Sequence, residues 1–254
     1  MTALGLVVLV LAACGGDEGA GLPVGDDAVA LDPSDFTTEI DNEFWPMSPG
    51  TQWTYDEVDE EGSHLEVVVT VSSETRSIAN GVTARTVRDT VTRDGELIED
   101  TMDWYAQDRE GNIWYLGEDT AEFEDGEVAS TSGSFEAGAD GALAGIIMPA
   151  EPAPGMRYRE EYDKGNAEDN GEILAVDQIA ETPLGRYDSA VLVWDTITIE
   201  PDVAEYKLYA PGVGPVLVLG VSGGGGREEL VDLTTVSDDV AAAAGRAPLG
   251  TPYR

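Results

Sequence analysis

The sequence predicts an all-β fold: an antiparallel meander built from two internal repeats, with little helix, forming a half-barrel-like curled sheet or two packed sheets. Three observations predict it. Apolar and polar residues alternate along several segments, turn-forming pairs separate those segments, and the two halves of the chain align with each other.

Alternation is clearest in two segments. In "HLEVVVTV", which begins at His64, the apolar side chains at positions 65, 67, 69 and 71 fall on one face of an extended chain. The segment "SAVLVWDTITI", which begins at Ser189, follows the same pattern, and Asp195 interrupts its apolar face. Both segments are therefore predicted to be half-buried strands.

Turn signals punctuate the chain between such strands. They are "NG" at 80–81, "DG" at 94–95 and again at 125–126, and "GGGG" at 223–226. Strands joined by short turns form an antiparallel meander. The core region shows no long apolar pattern with a period of 3.6 residues, so little helix is expected.

The two halves share landmarks in the same order. "SPGTQWTYDE" from Ser48 aligns with "APGMRYREEY" from Ala153, and further matches follow at offsets of 103 to 106 residues. We interpret this as a duplicated five-strand meander over 48–118 and 153–221. Two copies are too few for an open repeat array, so each half should complete the core of the other.

Both ends of the chain are rich in small and polar residues that cannot bury much apolar surface, and the alanine run near the C-terminus is too short to hold a helix alone. The predicted organisation is a signal peptide (1–13), a lipidated disordered tether (14–35), β repeat 1 (36–120), a hairpin and glycine-rich loop (121–150), β repeat 2 (151–233) and a disordered tail (234–254).

The N-terminal "LVVLVLAACGG" combines an apolar run of about ten residues with small side chains and the single cysteine of the chain. The run is too short to span a bilayer and has the length of the apolar region of an export signal. No Lys or Arg precedes it, although a signal peptide usually carries one, so we expect the natural start to lie upstream.

Leu11, Ala12, Ala13 and Cys14 resemble the lipobox of bacterial lipoproteins. The resemblance implies that the signal peptide is removed before Cys14 and that the Cys14 sulfur receives the lipid. One cysteine and one histidine cannot form a disulfide or a clustered zinc site within the chain. The expected location is the cell membrane, with the protein lipid-anchored and facing the extracytoplasmic side.

The formal net charge of −38 excludes nucleic-acid binding, which requires clustered basic residues. Only two of the 13 basic residues are lysines. Such a surface occurs in salt-adapted proteins and also in ordinary soluble proteins, and composition does not separate the two.

Aromatic residues are the first candidates for a binding site. Some of them should pack in the core, and the alternative is a groove for a lipid or glycan. The candidate groove residues are Trp53, Trp104, Tyr105, Trp114, Tyr115, Tyr158 and Tyr209.

One segment has the oxygen spacing of a calcium-binding loop. In "NAEDNGEILAVD", Asn166, Glu168, Asn170 and Asp177 stand at the first, third, fifth and twelfth places. The usual Asp and bidentate Glu are missing from the ends, and a strand follows instead of a helix. A polar turn leading into a strand is the favoured interpretation, with Ca²⁺ as the alternative, and no other cofactor is predicted.

No catalytic constellation is evident in the sequence. The G-x-S-x-G pattern at 220–224 has no histidine after it to activate a serine, so a hairpin turn is predicted there. Acidic residues are so frequent that a carboxylate pair cannot be identified from sequence. A non-enzymatic protein is therefore expected, with a carboxylate-dependent hydrolase as the alternative.

Four segments carry a family resemblance: "FWPMSPGTQWTY", "DTMDWYAQDREGNIWYLGED", "GSFEAGADGALAGIIMPAEP" and "YAPGVGPVLVL". They resemble a group of exported bacterial β-rich proteins, often lipoproteins, with no established activity, over about 36–232. More distantly, the pattern is similar to the half-barrels of lipoprotein carriers. The leading prediction is a membrane-anchored protein that binds a hydrophobic ligand, a glycan or an envelope partner between its repeats. A purely structural or adhesive surface protein is a further alternative.

Overall fold

The computed structural model describes residues 21–223 and 226–254. The predicted signal peptide, its cleavage residues Leu11, Ala12 and Ala13, and the predicted lipidation residue Cys14 lie outside the described residues.

Nearly all of the regular secondary structure in the described chain is β-strand. It contains one short 3-10 helix (Pro33–Asp35), one α-helix, α1 (Asp238–Arg246), and sixteen strands. The strands are β1 (Phe36–Thr37), β2 (Thr51–Val58), β3 (His64–Ser77), β4 (Thr83–Arg93), β5 (Glu96–Asp108), β6 (Ile113–Glu124), β7 (Glu127–Ser130), β8 (Phe135–Glu136), β9 (Leu143–Met148), β10 (Arg157–Arg159), β11 (Glu161–Tyr162), β12 (Asp169–Thr182), β13 (Gly185–Ile197), β14 (Ala204–Ala210), β15 (Gly214–Ser222) and β16 (Arg227–Thr235).

These strands form one large antiparallel sheet, which confirms the predicted fold class. Neighbouring strands along the sheet follow the order β10-β12-β13-β14-β15-β16-β2-β3-β4-β5-β6-β9-β11. Three short strands lie outside this order: β1 pairs with β5, and both β7 and β8 pair with β6. Most neighbours in the sheet are also neighbours in sequence, as expected for a meander.

The two ends of the sheet meet within one short stretch of chain. Tyr158, in β10, pairs with Gly171 of β12, whereas Glu161, in β11, pairs with Ala144 of β9. Glu160 lies between them, so the chain changes partner strand at this residue. The sheet is therefore nearly closed into a barrel-like curl.

A glycine on β9 permits this close approach. A Cβ atom on Gly145 would overlap the carbonyl group of Glu160. Only a residue without a side chain lets the two backbones come so near at the point of closure.

The alternation predicted for β3 is present, and the strand is also buried on its second face. Val67 and Val71 face the core inside the curl. Val68, Thr70 and Ser72 are buried on the outer face, because the C-terminal segment covers that side of the sheet.

Each half of the chain contributes five neighbouring strands. Strands β2 to β6 are consecutive neighbours in the first half, and β10 with β12 to β15 are consecutive neighbours in the second. Gly50 and Gly155 both have positive φ, and their amides donate to Val71 and Ile173 respectively. The duplication itself stays a prediction.

The predicted glycine-rich loop within 121–150 is more regular than expected. After the hairpin of β6 and β7, the segment contains β8 and β9, and β9 pairs with both β6 and β11. Four consecutive residues of β9, Gly145 to Met148, are buried. The apolar run "LAGIIM" gains enough burial as a central strand to outweigh the local preference of the surrounding glycines for turns.

The prediction of a disordered tail over 234–254 is wrong. Helix α1 begins after Ser237, whose hydroxyl accepts a hydrogen bond from the Val240 amide, and it packs on β3 and β4. Ala241 and Ala244 are buried against the sheet, where small side chains allow close contact. Tertiary packing stabilises a helix that is too short to persist alone. Within the described part of the chain, no helix is long and apolar enough to cross a membrane.

A buried ion pair fixes the chain that follows α1. The Arg88 guanidinium binds the Asp100 carboxylate, with both side chains almost fully buried. Arg88 also donates to the carbonyl groups of Ala247 and Pro248, and the Gly250 amide donates to Asp100 at 2.7 Å. The pair is thus surrounded by backbone partners from the C-terminus, which offset the cost of burying two charges.

The prediction of a disordered tether is also wrong for its described part, residues 21–35. The Arg159 guanidinium is buried, and it donates to the carbonyl groups of Gly25 and Asp27 at 2.9 and 2.6 Å. The Arg159 amide donates to the Pro23 carbonyl at 2.8 Å. A buried cation needs acceptors, and this N-terminal segment supplies them, so it lies against the point where the sheet closes.

Candidate functional site: an acidic, tyrosine-lined cavity

A cavity of about 390 Å³ lies inside the curled sheet. Its wall combines apolar residues, aromatic rings and an unusual number of carboxyl groups. The aromatic residues in the wall are Trp45, Tyr55, Tyr105, Tyr115 and Tyr209.

Four of these rings form a continuous surface. Tyr105 stacks on Tyr115 with ring centroids 4.8 Å apart. Trp45 contacts Tyr105 at 5.5 Å and Tyr209 at 5.8 Å between centroids. The surface therefore connects the two halves of the chain, and it offers flat faces to an apolar or cationic group.

The structure brings together three of the seven residues predicted to form an aromatic groove. Tyr105, Tyr115 and Tyr209 line the cavity. The other four, Trp53, Trp104, Trp114 and Tyr158, do not line it, although all of them are buried.

Three of those four have polar partners elsewhere. The Trp53 indole donates to the Val213 carbonyl at 2.8 Å, and the Trp114 indole donates to Asp108 at 2.7 Å. Trp104 lies beneath the Arg76 guanidinium, 3.9 Å from the ring centroid. These three side chains are therefore buried outside the cavity, and the predicted aromatic groove does not include them in the described structure.

Eight acidic residues line the cavity and are here called the interior carboxyls. They are Glu57, Asp89, Asp103, Glu160, Glu161, Asp169, Glu205 and Glu228. Among the residues that the structure describes, the bases in the cavity wall are Lys207 and Arg227, and Arg227 forms an ion pair with Glu229.

Cross-strand register explains how several of these groups meet. Lys207 pairs with Val218, Val218 with Glu228, and Glu228 with Glu57, across β14, β15, β16 and β2. Residues directly opposite each other on neighbouring strands share a face of the sheet. This row therefore brings one lysine and two glutamates to the interior face.

Lys207 is the central cation of the cavity. Its Nζ lies 2.6 Å from Asp195 Oδ2 and 3.9 Å from Glu205 Oε2. Burial disfavours the charge on Lys207, but Asp195, Tyr209 and Glu160 outweigh it and raise the lysine pKa well above its ordinary value. Burial raises the pKa of Asp195, and the Lys207 charge opposes that rise.

The Tyr115 hydroxyl lies between two carboxyl groups. It is 2.6 Å from Asp103 Oδ1 and 2.8 Å from Glu118 Oε2. A hydroxyl has one proton to donate, so both contacts are hydrogen bonds only when one of the two carboxyls is protonated and donates to the tyrosine oxygen. The three residues therefore hold an extra proton.

The pKa shifts of this pair agree with the proton count. Burial raises the pKa of Asp103 to about 7, although the Tyr115 hydrogen bond opposes the rise. Burial and the neighbouring Asp103 charge raise the pKa of Glu118 to about 8. Desolvation disfavours a carboxylate, and a second negative charge nearby adds to that effect.

Other interior carboxyls behave in the same way. Burial raises the pKa of Glu228 to about 8 and that of Asp169 to about 6. Burial also raises the pKa of Glu160 well above the ordinary value, and the Asp195 charge adds to this rise. These interior carboxyls therefore keep their protons to a higher pH than exposed carboxyls do.

Glu160 is the most enclosed of these acids. Its side chain belongs to a residue only 3% exposed, and Oε1 has no hydrogen-bond partner among the described residues. A Cβ atom on Gly171 would come within 2.7 Å of this oxygen and 2.5 Å of the Tyr158 ring. The glycine thus leaves room for the Glu160 carboxyl beside the cavity.

The four residues of the alternative calcium loop do not come together in the structure. Asn166 occupies a turn, where it donates to Asp163, and Glu168 accepts from the Gly165 amide. Asn170 and Asp177 both lie on β12, and at about 3.3 Å per residue an extended strand separates them by roughly 23 Å. Among the described residues no group of three or more His, Cys, Asp or Glu side chains could hold a metal ion.

Sequence reasoning missed the interior carboxyls and Lys207. One signal was present, because Asp195 interrupts an otherwise apolar face, and it faces Lys207 in the structure. The same signal recurs on β16, where Glu228 stands two residues before the fully buried Leu230. A charged residue at a core-facing position marks a buried polar site more reliably than a count of aromatic residues does.

No protein-family model and no curated protein matches the chain. One solved structure that matches is a crystal structure described as that of "a putative lipoprotein from Parabacteroides distasonis ATCC 8503". The two chains are 14% identical, and the match covers 75% of this chain and 98% of the other with a TM-score of 0.40. So distant a likeness carries no function over to this chain.

Proposed function

We propose that this chain is an exported, lipid-anchored, non-enzymatic binding protein that takes a small organic ligand into the cavity of its curled sheet. The observation that carries the proposal is the cavity itself, about 390 Å³ in volume and walled by five aromatic residues together with polar groups. Ligand sites in proteins commonly combine a concave apolar surface with a few polar groups that orient the ligand.

Anchoring rests on the lipobox resemblance at Cys14. Replacing this residue in Cys14→Ser should release the protein from membranes and abolish labelling by a fatty-acid analogue. Unchanged membrane association of the variant would contradict the lipid anchor and leave the cavity proposal intact.

Binding is tested by native mass spectrometry of the full chain carrying Cys14→Ser, purified from its natural host. We expect an added mass that disappears on denaturation. Val218 lines the cavity, so Val218→Phe should fill it and remove the added mass. Val221 is exposed, and Val221→Phe is the matched control that should keep it. Only the bare polypeptide mass in the parent protein would count against a binding function.

A carboxylate-dependent hydrolase is the second candidate, and one observation favours it. The pKa of Asp103, about 7, suits a general acid, and Glu118 lies on the other side of the Tyr115 hydroxyl. Screening against glycosides and esters tests this candidate. Turnover that is lost in Asp103→Asn but kept in the exposed variant Asp119→Asn would favour the hydrolase over the binding protein.

A further inference from the structure

We infer, on the basis of the proposed binding function, that the cavity selects a positively charged ligand, an amine carried on an apolar or aromatic frame. The inference deepens the proposed function because it names the chemical class of the ligand. Four features of the cavity wall support it.

The first feature is the excess of acids over bases. Eight carboxyl residues line the cavity, against two bases, and one of those bases is already paired with Glu229. Buried carboxylates without partners are costly, and a fold that needed only a core would place apolar residues at these inward positions. A cationic ligand supplies positive charge that favours the ionised form of these carboxyls, whereas an anionic ligand would add to the cost of ionising any of them.

The second feature is an enclosed carboxyl oxygen without a partner. Glu160 is 3% exposed and lines the cavity, and its Oε1 has no hydrogen-bond partner among the described residues. An ammonium group has three donors and can serve several carboxylates at once. A neutral ligand satisfies such an oxygen less well, because charge-assisted hydrogen bonds are roughly twice as strong as neutral ones.

The third feature is that the chain already holds one ammonium group in this environment. Lys207 Nζ lies 2.6 Å from Asp195 and 3.9 Å from Glu205. The side chain of Lys207 carries the ammonium on an apolar stem that lines the cavity. A ligand amine with an apolar frame would reproduce that arrangement on the opposite side of the cavity.

The fourth feature separates an organic amine from a metal ion. The acids are spread around the wall, and among the described residues no three of them are close enough to hold a metal. The wall also contains the stacked Tyr105 and Tyr115 rings and the adjoining Trp45. Aromatic faces attract organic cations and also bury apolar surface, so the two halves of an amphiphilic amine each find a partner.

The test compares three probes that differ only in their polar end: decylamine, decanol and decanoate, below the concentrations at which they form micelles. The protein is the full chain with Cys14→Ser, at pH 8, and the measurement is isothermal titration calorimetry. We expect decylamine to have a Kd at least about tenfold lower than decanol, corresponding to one favourable charge interaction. Decanoate should bind more weakly than decanol.

Variants separate the cavity from the acidic surface. Glu160→Gln and Glu228→Gln each remove one carboxyl that can ionise when an amine binds, with little change of shape, and each should raise the decylamine Kd about tenfold while leaving the decanol Kd within about twofold. Glu60 is exposed, and Glu60→Gln is the matched control that should change neither value. The use of two interior variants guards against misfolding of one of them.

Each other outcome has a defined meaning. Equal affinity for all three probes would overturn the amine inference and leave the binding function standing. An equal loss of decylamine affinity in Glu60→Gln and Glu160→Gln would also overturn it, because general surface attraction would then explain the preference. Failure of all three probes to bind would overturn the amine inference, and the proposed binding function would fall with it if native mass spectrometry also showed only the bare polypeptide mass.

Discussion

Asp103→Asn provides the sharpest test of the protonated interior. In the folded protein burial raises the Asp103 pKa from its ordinary value of 3.8 to about 7. Between these two pH values the folded protein holds a proton that the unfolded chain has released. The free energy of unfolding therefore falls as pH rises through this window.

The size of the effect follows from the shift. About three pKa units at 1.36 kcal/mol each correspond to a loss on the order of 4 kcal/mol between pH 4 and pH 8. Asparagine is neutral at every pH and its amide can donate to the Tyr115 oxygen, as the protonated carboxyl does. The free energy of unfolding of the variant should therefore not fall with this titration. The difference in free energy of unfolding between the variant and the parent protein should be more favourable to the variant at pH 8 than at pH 4, by about 4 kcal/mol.

The assay is urea unfolding of both proteins at several pH values and constant ionic strength. The control is Asp119→Asn, because Asp119 follows Glu118 on β6 but is exposed. This variant removes one negative charge from a protein of net charge −38, and so reduces only the general electrostatic repulsion. The control should run nearly parallel to the parent protein. Parallel curves for Asp103→Asn and the parent protein would refute the proton count at Tyr115.

Three further predictions concern the same cavity. Lys207→Ala leaves Asp195 without its cation, so it should lower the free energy of unfolding by about 3 kcal/mol. Added propylamine should restore much of that loss, because it can occupy the place of the lysine ammonium. Lys164 is the exposed second lysine, and Lys164→Ala should leave the free energy of unfolding nearly unchanged. Gly145→Ala should lower the melting temperature strongly, because its Cβ would overlap Glu160 at the closure of the sheet, whereas Gly185→Ala meets no atom within 4 Å and should be tolerated. Binding of decylamine should displace protons from interior carboxyls such as Asp169 and Glu228. Its affinity should therefore rise about tenfold per pH unit between pH 6 and 8 for each proton displaced, while the affinity for decanol should stay constant.

Local pattern predicted the strands well because the alternation of side chains and the turn chemistry act over a few residues. The sequence of β3 is an example, since its apolar face is set by every second residue. Closure of the sheet could not be predicted in this way. Closure is formed by β10 and β11, which are too short to be recognised as strands from the sequence. It also requires the close approach of Gly145 to the backbone of Glu160, a contact that local sequence pattern does not reveal.

The two ends of the chain illustrate the same limit. Residues 21–35 and the segment after Ser237 have compositions typical of disorder, yet buried arginines hold both of them. Arg159 and Arg88 need backbone acceptors, and the terminal segments supply those acceptors. Composition describes what a segment can bury by itself, and it is silent about polar groups elsewhere that require a partner.

Burying the interior carboxyls costs free energy, and the same groups are those that would bind the proposed amine. At a pH below their raised pKa values, interior carboxyls such as Asp103 and Glu228 keep their protons, which lowers the negative charge of the cavity wall. A bound amine favours the ionised forms and displaces those protons, so binding becomes an exchange of protons for one organic cation. Protonation of these acids explains how the fold can keep so many of them buried without their mutual repulsion opening the sheet. The exchange also predicts that a protein with this cavity binds its ligand more tightly in alkaline than in acidic surroundings, which calorimetry in buffers of different ionisation enthalpy would detect as proton release.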